Sequence, residues 1–139
     1  MNCDEALERF GLPAGPGHRE ALLVLLDEER NKAAQDKADH DGDPDLLRCL
    51  CAQLVSIGDV RDSLPIWRAK SASFNLMSGL DVQFLCGAGV DATRDYLGSI
   101  GTEESGKALE YLDQCVAAGD FDAWTPDQCV SSYRRYFGL

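Results

Sequence analysis

Histidine is nearly missing from this chain: only His18 and His40 occur, against thirteen lysines and arginines and twenty-four aspartates and glutamates. That scarcity leaves little material for cysteine–histidine or serine–histidine catalysis, which needs an imidazole held rigidly beside its nucleophile. His18 falls at the start of a predicted helix and His40 in a predicted loop, so neither is expected to serve. No pair of cysteines has the Cys-x-x-Cys spacing of a structural zinc site, and no metal or cofactor is expected. No apolar run approaches the ~18 residues that span a bilayer, since the longest, residues 21–26, is bounded by charges. The first ten residues, MNCDEALERF, are acidic and lack the basic-then-apolar order of a secretion signal. The expectation is a cytoplasmic protein that contacts no membrane.

Positive charge is also in short supply, and the formal net charge is −11. Such an excess of carboxylates repels phosphates, so nucleic acids and anionic lipids are excluded as partners. A basic protein is favoured instead. Six cysteines, at 3, 49, 51, 86, 115 and 129, are irregularly spaced. Cys49 and Cys51 would point about 200° apart on a helix and cannot pair. Free, mostly buried thiols in a reducing compartment are expected.

Helical periodicity, by contrast, is plentiful. At 139 residues with 45% hydrophobic content, the chain is long enough for one domain with a sizeable core. Leu47, Leu50, Cys51, Leu54 and Val55 recur at three- and four-residue intervals, which makes one apolar helical stripe. Gly58 stops that periodicity, and a glycine there can close a helix in the left-handed conformation. Asp59 then caps a second helix, with Val60, Leu64 and Trp67 inward, folded back on the first.

Punctuation sets the remaining elements. A short helix is expected over 4–10, then a turn-rich connector at 11–17, GLPAGPG. A longer helix is expected over 18–38. Its Leu22, Leu23, Leu25 and Leu26 should dock in the core, and its polar second half should project into solvent. An acidic loop comes next at 39–45, with Asp45 as the next cap. Short helices are expected over 81–86 and 91–97. A strong helix over 102–118 is capped by Thr102, with Leu109, Leu112, Cys115 and Val116 inward. The last helix, to about residue 137, starts at Thr125-Pro126, where proline has no helical amide to lose. Phe121 and Trp124 read as plugs that close the last hairpin. Residues 56–60 and 117–121 share a small residue and then Gly-Asp-apolar, 61 positions apart.

Leu50, Cys51, Leu54, Gly58, Val60, Ser63 and Trp67 resemble the tetratricopeptide pattern of large, small and aromatic positions. The match spans residues 50–70 and departs from the pattern in three places. Lys70 occupies the last small position, Pro65 falls inside the second helix, and Trp124 stands where a second copy needs a small residue. As a whole the chain is similar in character to small, acidic, all-helical bacterial proteins, immunity proteins among them. The expected architecture is therefore all-α: about seven helices, paired as antiparallel hairpins and stacked into a short right-handed superhelix-like bundle within a single domain, 1–139.

Two motifs that could carry chemistry fail on context. Gly87-Ala88-Gly89-Val90-Asp91-Ala92 fits the dinucleotide-binding G-x-G-x-x-A spacing, but no strand system surrounds it and Asp91 would repel the phosphates. A calcium loop starting at Asp39 would need glycine where Pro44 stands and a carboxylate where Leu50 stands. Starting at Asp36, it meets Asp41 and Leu47 at those positions. With no catalytic constellation, the expected function is a non-enzymatic protein-binding module. Its most concrete form is an immunity-type inhibitor of a basic toxin. The predicted contact surface is acidic: Asp27, Glu28, Glu29, Asp36, Asp39, Asp41 and Asp43. The alternative, implied by the tetratricopeptide resemblance, is a peptide-binding adaptor that uses a concave groove at Arg61, Trp67, Arg68 and Lys70.

Overall fold

The computed structural model describes residues 1–35 and 43–139, and every regular element among them is helical. The eight α-helices are α1 (Cys3–Phe10), α2 (Arg19–Gln35), α3 (Pro44–Ile57), α4 (Ser63–Lys70), α5 (Phe74–Gly79), α6 (Val90–Ile100), α7 (Glu103–Ala117) and α8 (Pro126–Tyr136). Single 3-10 turns occupy Pro16–His18, Val60–Asp62 and Val82–Cys86. The all-α expectation holds, with the helix expected over 81–86 present as the 3-10 turn Val82–Cys86 and with one unexpected helix. The addition is α5, six residues capped by Ser73, whose side chain accepts from the Leu76 amide. None of the described helices is long and apolar enough to cross a membrane.

α3 is the hub. Leu46, Leu47 and every residue from Cys49 to Val55 are buried, so this helix is covered on all sides rather than along one stripe. α1, α2, α8 and the Val82–Cys86 turn all pack on it. Its start is fixed by Asp43, not Asp45. The Asp43 carboxylate accepts from the amides of Asp45 and Leu46 at 3.1 Å, and Pro44 sits at the first helical position. Gln53, fully buried, donates from Nε2 to the carbonyls of Ala6 and Gly11, which fastens α1 and the connector behind it. Ser56 does the same for the rest of the connector, accepting from the Ala14 amide at 2.8 Å.

The corner at Gly58 forms as the sequence implies, with φ +79° and its amide bonded to the Leu54 carbonyl. The chain beyond this corner departs from the expected hairpin. Asp59 caps the turn Val60–Asp62, and α4 then lies against α2, α5 and the Val82–Cys86 turn rather than folding back along α3. The intervening turn also explains Pro65. It is the third residue of α4, where an amide would in any case lack a partner within that helix, so no helix is broken there. The pair that does fold as a direct hairpin is α6–α7, joined through Gly101 at φ +73° and the Thr102–Ser105 capping box.

α2 keeps its inward stripe along its described length. Leu22, Leu26, Glu29 and Ala33 are all buried, at spacings of four, three and four. The second half is therefore docked, not projecting, although most of its remaining residues are polar. The Gly87-Ala88-Gly89 segment is a packing device. A methyl group on Gly87 would sit 3.0 Å from the Val55 Cα, so the backbone of this corner rests directly on α3. Gly89, at φ +96°, then opens α6.

Two glycine substitutions should therefore move stability in opposite directions. Gly87→Ala forces a methyl group into the backbone of α3 and should lower the unfolding free energy by about 1–3 kcal/mol. Gly106→Ala, in α7, meets nothing within 4 Å and should raise it by about 0.5–1 kcal/mol. Urea midpoints of the two variants and the parent measure both, and a neutral Gly87→Ala would contradict the close approach.

Candidate functional site

The residues of the expected acidic surface are scattered in their roles. Asp36, Asp39 and Asp41 lie outside the described residues. Asp27 is taken by Arg30, with Nη2 at 2.7 Å, and Glu29 is buried and holds Lys32 at 2.9 Å. Asp43 is committed to capping α3. Of the four described, Glu28 alone is exposed with no hydrogen-bond donor or ion-pair partner among the described residues.

The alternative groove is closed. Trp67 is buried against Tyr111, ring centroids 5.4 Å apart. Lys70 is only 2% exposed, and its ammonium donates to the carbonyls of Met77 and Leu80 while lying 5.5 Å from the Tyr111 ring. It neutralises the carboxyl end of α5 and welds α4, α5 and α7 together. Arg61 and Arg68 do reach the surface, but each is held by a carboxylate. Arg61 forks onto Asp59, which keeps that acid down at about 2, and Arg68 forks onto Glu104 with Nη2 at 2.7 Å. These four residues do not present an open basic face.

A cleft beside α8 lies outside both surfaces expected from the sequence. Three segments build it. α8 itself is positioned by Thr125, which caps it, and by its packing on α3. The segment 118–125 is folded tightly by Gly119 at φ +90°, with the Asp120 amide reaching back to the Cys115 carbonyl, and by Ala123 at φ +55°, a conformation rare without a glycine. The third segment is the Asp81–Cys86 stretch, tied to the second because Gln83 donates from Nε2 to the Asp120 carbonyl at 2.8 Å. Between them lies an open cavity of ≈ 360 Å³ whose walls include Asp81, Asp120, Asp122, Trp124, Ser132 and Tyr133. Among the described residues, no lysine, arginine or histidine lines it. A second cavity, ≈ 560 Å³, adjoins it across Asp81, Ser132 and Tyr133 and extends to Arg48 and Tyr136.

Tyr133 divides the two. Its hydroxyl donates to Asp81 Oδ2, and its ring packs 5.0 Å from Phe84 and 5.9 Å from Tyr136. Burial, and then the Asp81 carboxylate, push its ionisation well above the usual phenol range. Trp124 and Phe121 meet edge to face at 5.2 Å and, partly buried, pack against the core as expected, while Trp124 also borders the cleft. Signals for this site were present as Asp120, Asp122 and Trp124 within five positions. Their juxtaposition with Asp81 and Tyr133 is a tertiary product that no local spacing reveals.

The chemistry available here is acceptance. Carboxylates and amide oxygens surround the space, and the phenol is already spent on Asp81. No pairing of a nucleophile with an imidazole exists among the described residues: His18 is exposed and packs edge-on to Phe10 at 5.2 Å, and His40 lies outside them. All six cysteines are free, as expected, and Cys49, Cys51, Cys86 and Cys129 are buried. Cys129, at the cavity wall, is pushed by burial to about 11. No group of three potential metal ligands converges among the described residues.

The charge is unevenly placed along the chain. Residues 90–127 hold nine acidic against two basic residues, whereas 46–89, including the buried hub, hold three against four. The carboxylate-rich cleft thus sits at the end of the more acidic arm. No family model, curated protein or solved structure matches the chain.

The buried thiols fix an alkaline limit. Burial raises the ionisation of Cys49, Cys51, Cys86 and Cys129 above the usual 9.0, Cys86 reaching about 12. Above pH 9 the unfolded chain loses these protons first, so the folded state holds more protons and stability falls as pH rises. Lys70, lowered by burial, acts in the opposite sense, but it is one group against four thiols. Each thiol contributes a slope of roughly 1.4 kcal/mol per pH unit in its window. Urea midpoints should therefore be level up to about pH 8.5 and fall steeply beyond it. The slope should be shallower for Cys51→Ala, which removes one of the raised thiols. A profile that stays flat to about pH 10.5 would contradict the linkage.

Proposed function

We propose that this protein is a non-enzymatic binding module for a basic protein, an immunity-type inhibitor of a cationic toxin being the most concrete form. The observation that carries the reading is the cleft beside α8, where three carboxylates line one cavity with no basic residue among them. Elsewhere several carboxylates are answered internally: Asp59 by Arg61, Asp62 by Arg19, Glu104 by Arg68, and Asp113 by Arg94. A cavity left without its cations is complementary to a partner that brings them. The net charge of −11 adds long-range attraction, which raises the rate of encounter with such a partner more than it tightens the final contact. Its place is the cytoplasm, where a reducing milieu keeps six free thiols as thiols.

The immobilised chain, exposed to lysate of its source cells, should retain a protein of basic isoelectric point. Replacing Asp120 and Asp122 together with lysine should weaken that retention about tenfold in ~50 mM salt and far less in ~500 mM salt, where charges beyond a few ångströms are screened. A retained partner that is acidic, equal losses at both salts, or turnover of a small metabolite by the purified chain would each count against the proposal.

A further inference from the structure

We infer that the cavity walled by Asp81, Asp120, Asp122 and Trp124 receives an arginine side chain carried on an extended segment of the basic partner. This assignment rests on the binding-module reading above and specifies its contact. The occupant must be cationic because the walls offer acceptors with spare capacity. Asp81 takes one hydrogen bond from Tyr133, the Asp120 carboxylate takes the Cys115 thiol, and Asp122 has no ion-pair or hydrogen-bond partner among the described residues. An ionised carboxylate offers about four acceptor positions, so most remain open.

The shape of the site selects the kind of cation. A small ion needs its ligands gathered around one point, and no such convergence exists among the described residues. The carboxylates are instead distributed around ≈ 360 Å³. An ammonium, a compact point charge, satisfies one wall at a time. A guanidinium carries five donors in a planar fork and can engage carboxylates on two walls at once, with its flat face free for an indole. Trp124 supplies that indole, braced edge-on by Phe121.

The walls are also held in place before any ligand arrives. Gln83 ties the Asp81 segment to Asp120, Gly119 and Ala123 fold the intervening chain tightly, and Tyr133 is fixed between Asp81 and Phe84. Little ordering entropy is then left to lose on binding. The adjoining cavity sets the neighbouring residues of the segment. Arg48 at its wall is already held by Asp45 at 3.0 Å and by the Gly79 carbonyl, while Tyr136, 62% exposed, offers an apolar contact.

Three blocked tripeptides test this: acetyl-Gly-Arg-Gly-amide, its lysine counterpart, and its citrulline counterpart, which keeps the shape of arginine but lacks the charge. Each is titrated into the isotopically labelled full chain and tracked by amide and indole shifts. The arginine peptide should move the Trp124 indole and the amides of 119–133. It should bind several-fold more tightly than the lysine peptide, and citrulline should leave the spectrum still. Asp122→Asn and Trp124→Leu should each weaken the arginine peptide about tenfold. Circular dichroism should stay unchanged in both, and melting unchanged in Asp122→Asn, whose side chain is exposed, whereas Trp124 also packs on Phe121 and the core. Equal response to citrulline, equal affinity for lysine, shifts centred on α2, or an Asp122→Asn variant that binds normally would overturn the assignment. If the peptide fails while a basic partner is still retained by the whole chain in a salt-dependent way, the cleft assignment falls and the proposed function stands. If the peptide binds in the cleft and no basic partner is retained, the reverse holds.

Discussion

Burial of α3 on every side is the constraint on which the rest of the molecule depends. A helix that carries Leu46, Leu47, Leu50, Leu54 and Val55 together with Cys49, Cys51 and Ala52 has no face to give to solvent. Each of its large side chains contributes roughly 1.5–3 kcal/mol when withdrawn from water, provided that other elements arrive to cover it. Four do: α1, α2, α8 and the Val82–Cys86 turn. Gln53 makes the arrangement specific, because its buried amide fits only when the carbonyls of Ala6 and Gly11 stand where they do. The covering of α3 by α8 also joins the ends of the chain, and Arg134 reinforces this by donating to the carbonyl of Leu12.

The cleft is a by-product of that covering. α8 and the Val82–Cys86 turn are both packed on α3, and the chain between α7 and α8 has to bridge them tightly. It does so with two residues in the left-handed region, Gly119 and Ala123. The carboxylates of Asp120 and Asp122 are carried on this bridge, opposite Asp81. Ion pairs elsewhere answer part of the acidic surface, as at Asp59, Asp62, Glu104 and Asp113. Here none is formed among the described residues, and the site is left acceptor-rich beside two aromatic rings.

Elements governed by local chemistry were legible in the sequence. Gly58 and Gly119 end helices because both adopt positive φ, and Thr102, Thr125 and Pro126 start them because their side chains or ring suit the first turn. The all-helical class and the free cysteines come from periodicity and spacing in the same way. The features that were not legible depend on distant partners. α4 turns away onto α2 because a 3-10 turn intervenes after Gly58, and that same turn makes Pro65 harmless. Lys70 reads as a surface cation and is buried, because two carbonyls at the end of α5 need donors there. α5 itself escapes notice since its leading apolar residue, Phe74, is 87% exposed and marks no inward stripe. The cleft unites residues from 81, 120–124 and 132–133, which no window of the sequence shows together.

Amide hydrogen exchange of the full chain, alone and with a saturating arginine-rich peptide, tests scaffold and site in one measurement. α3 should exchange most slowly of all in both states, and the peptide should slow only amides between 119 and 133. An α3 that exchanges as readily as α1, or protection that falls on α2 or nowhere, would contradict a buried hub that holds an arginine-accepting cleft.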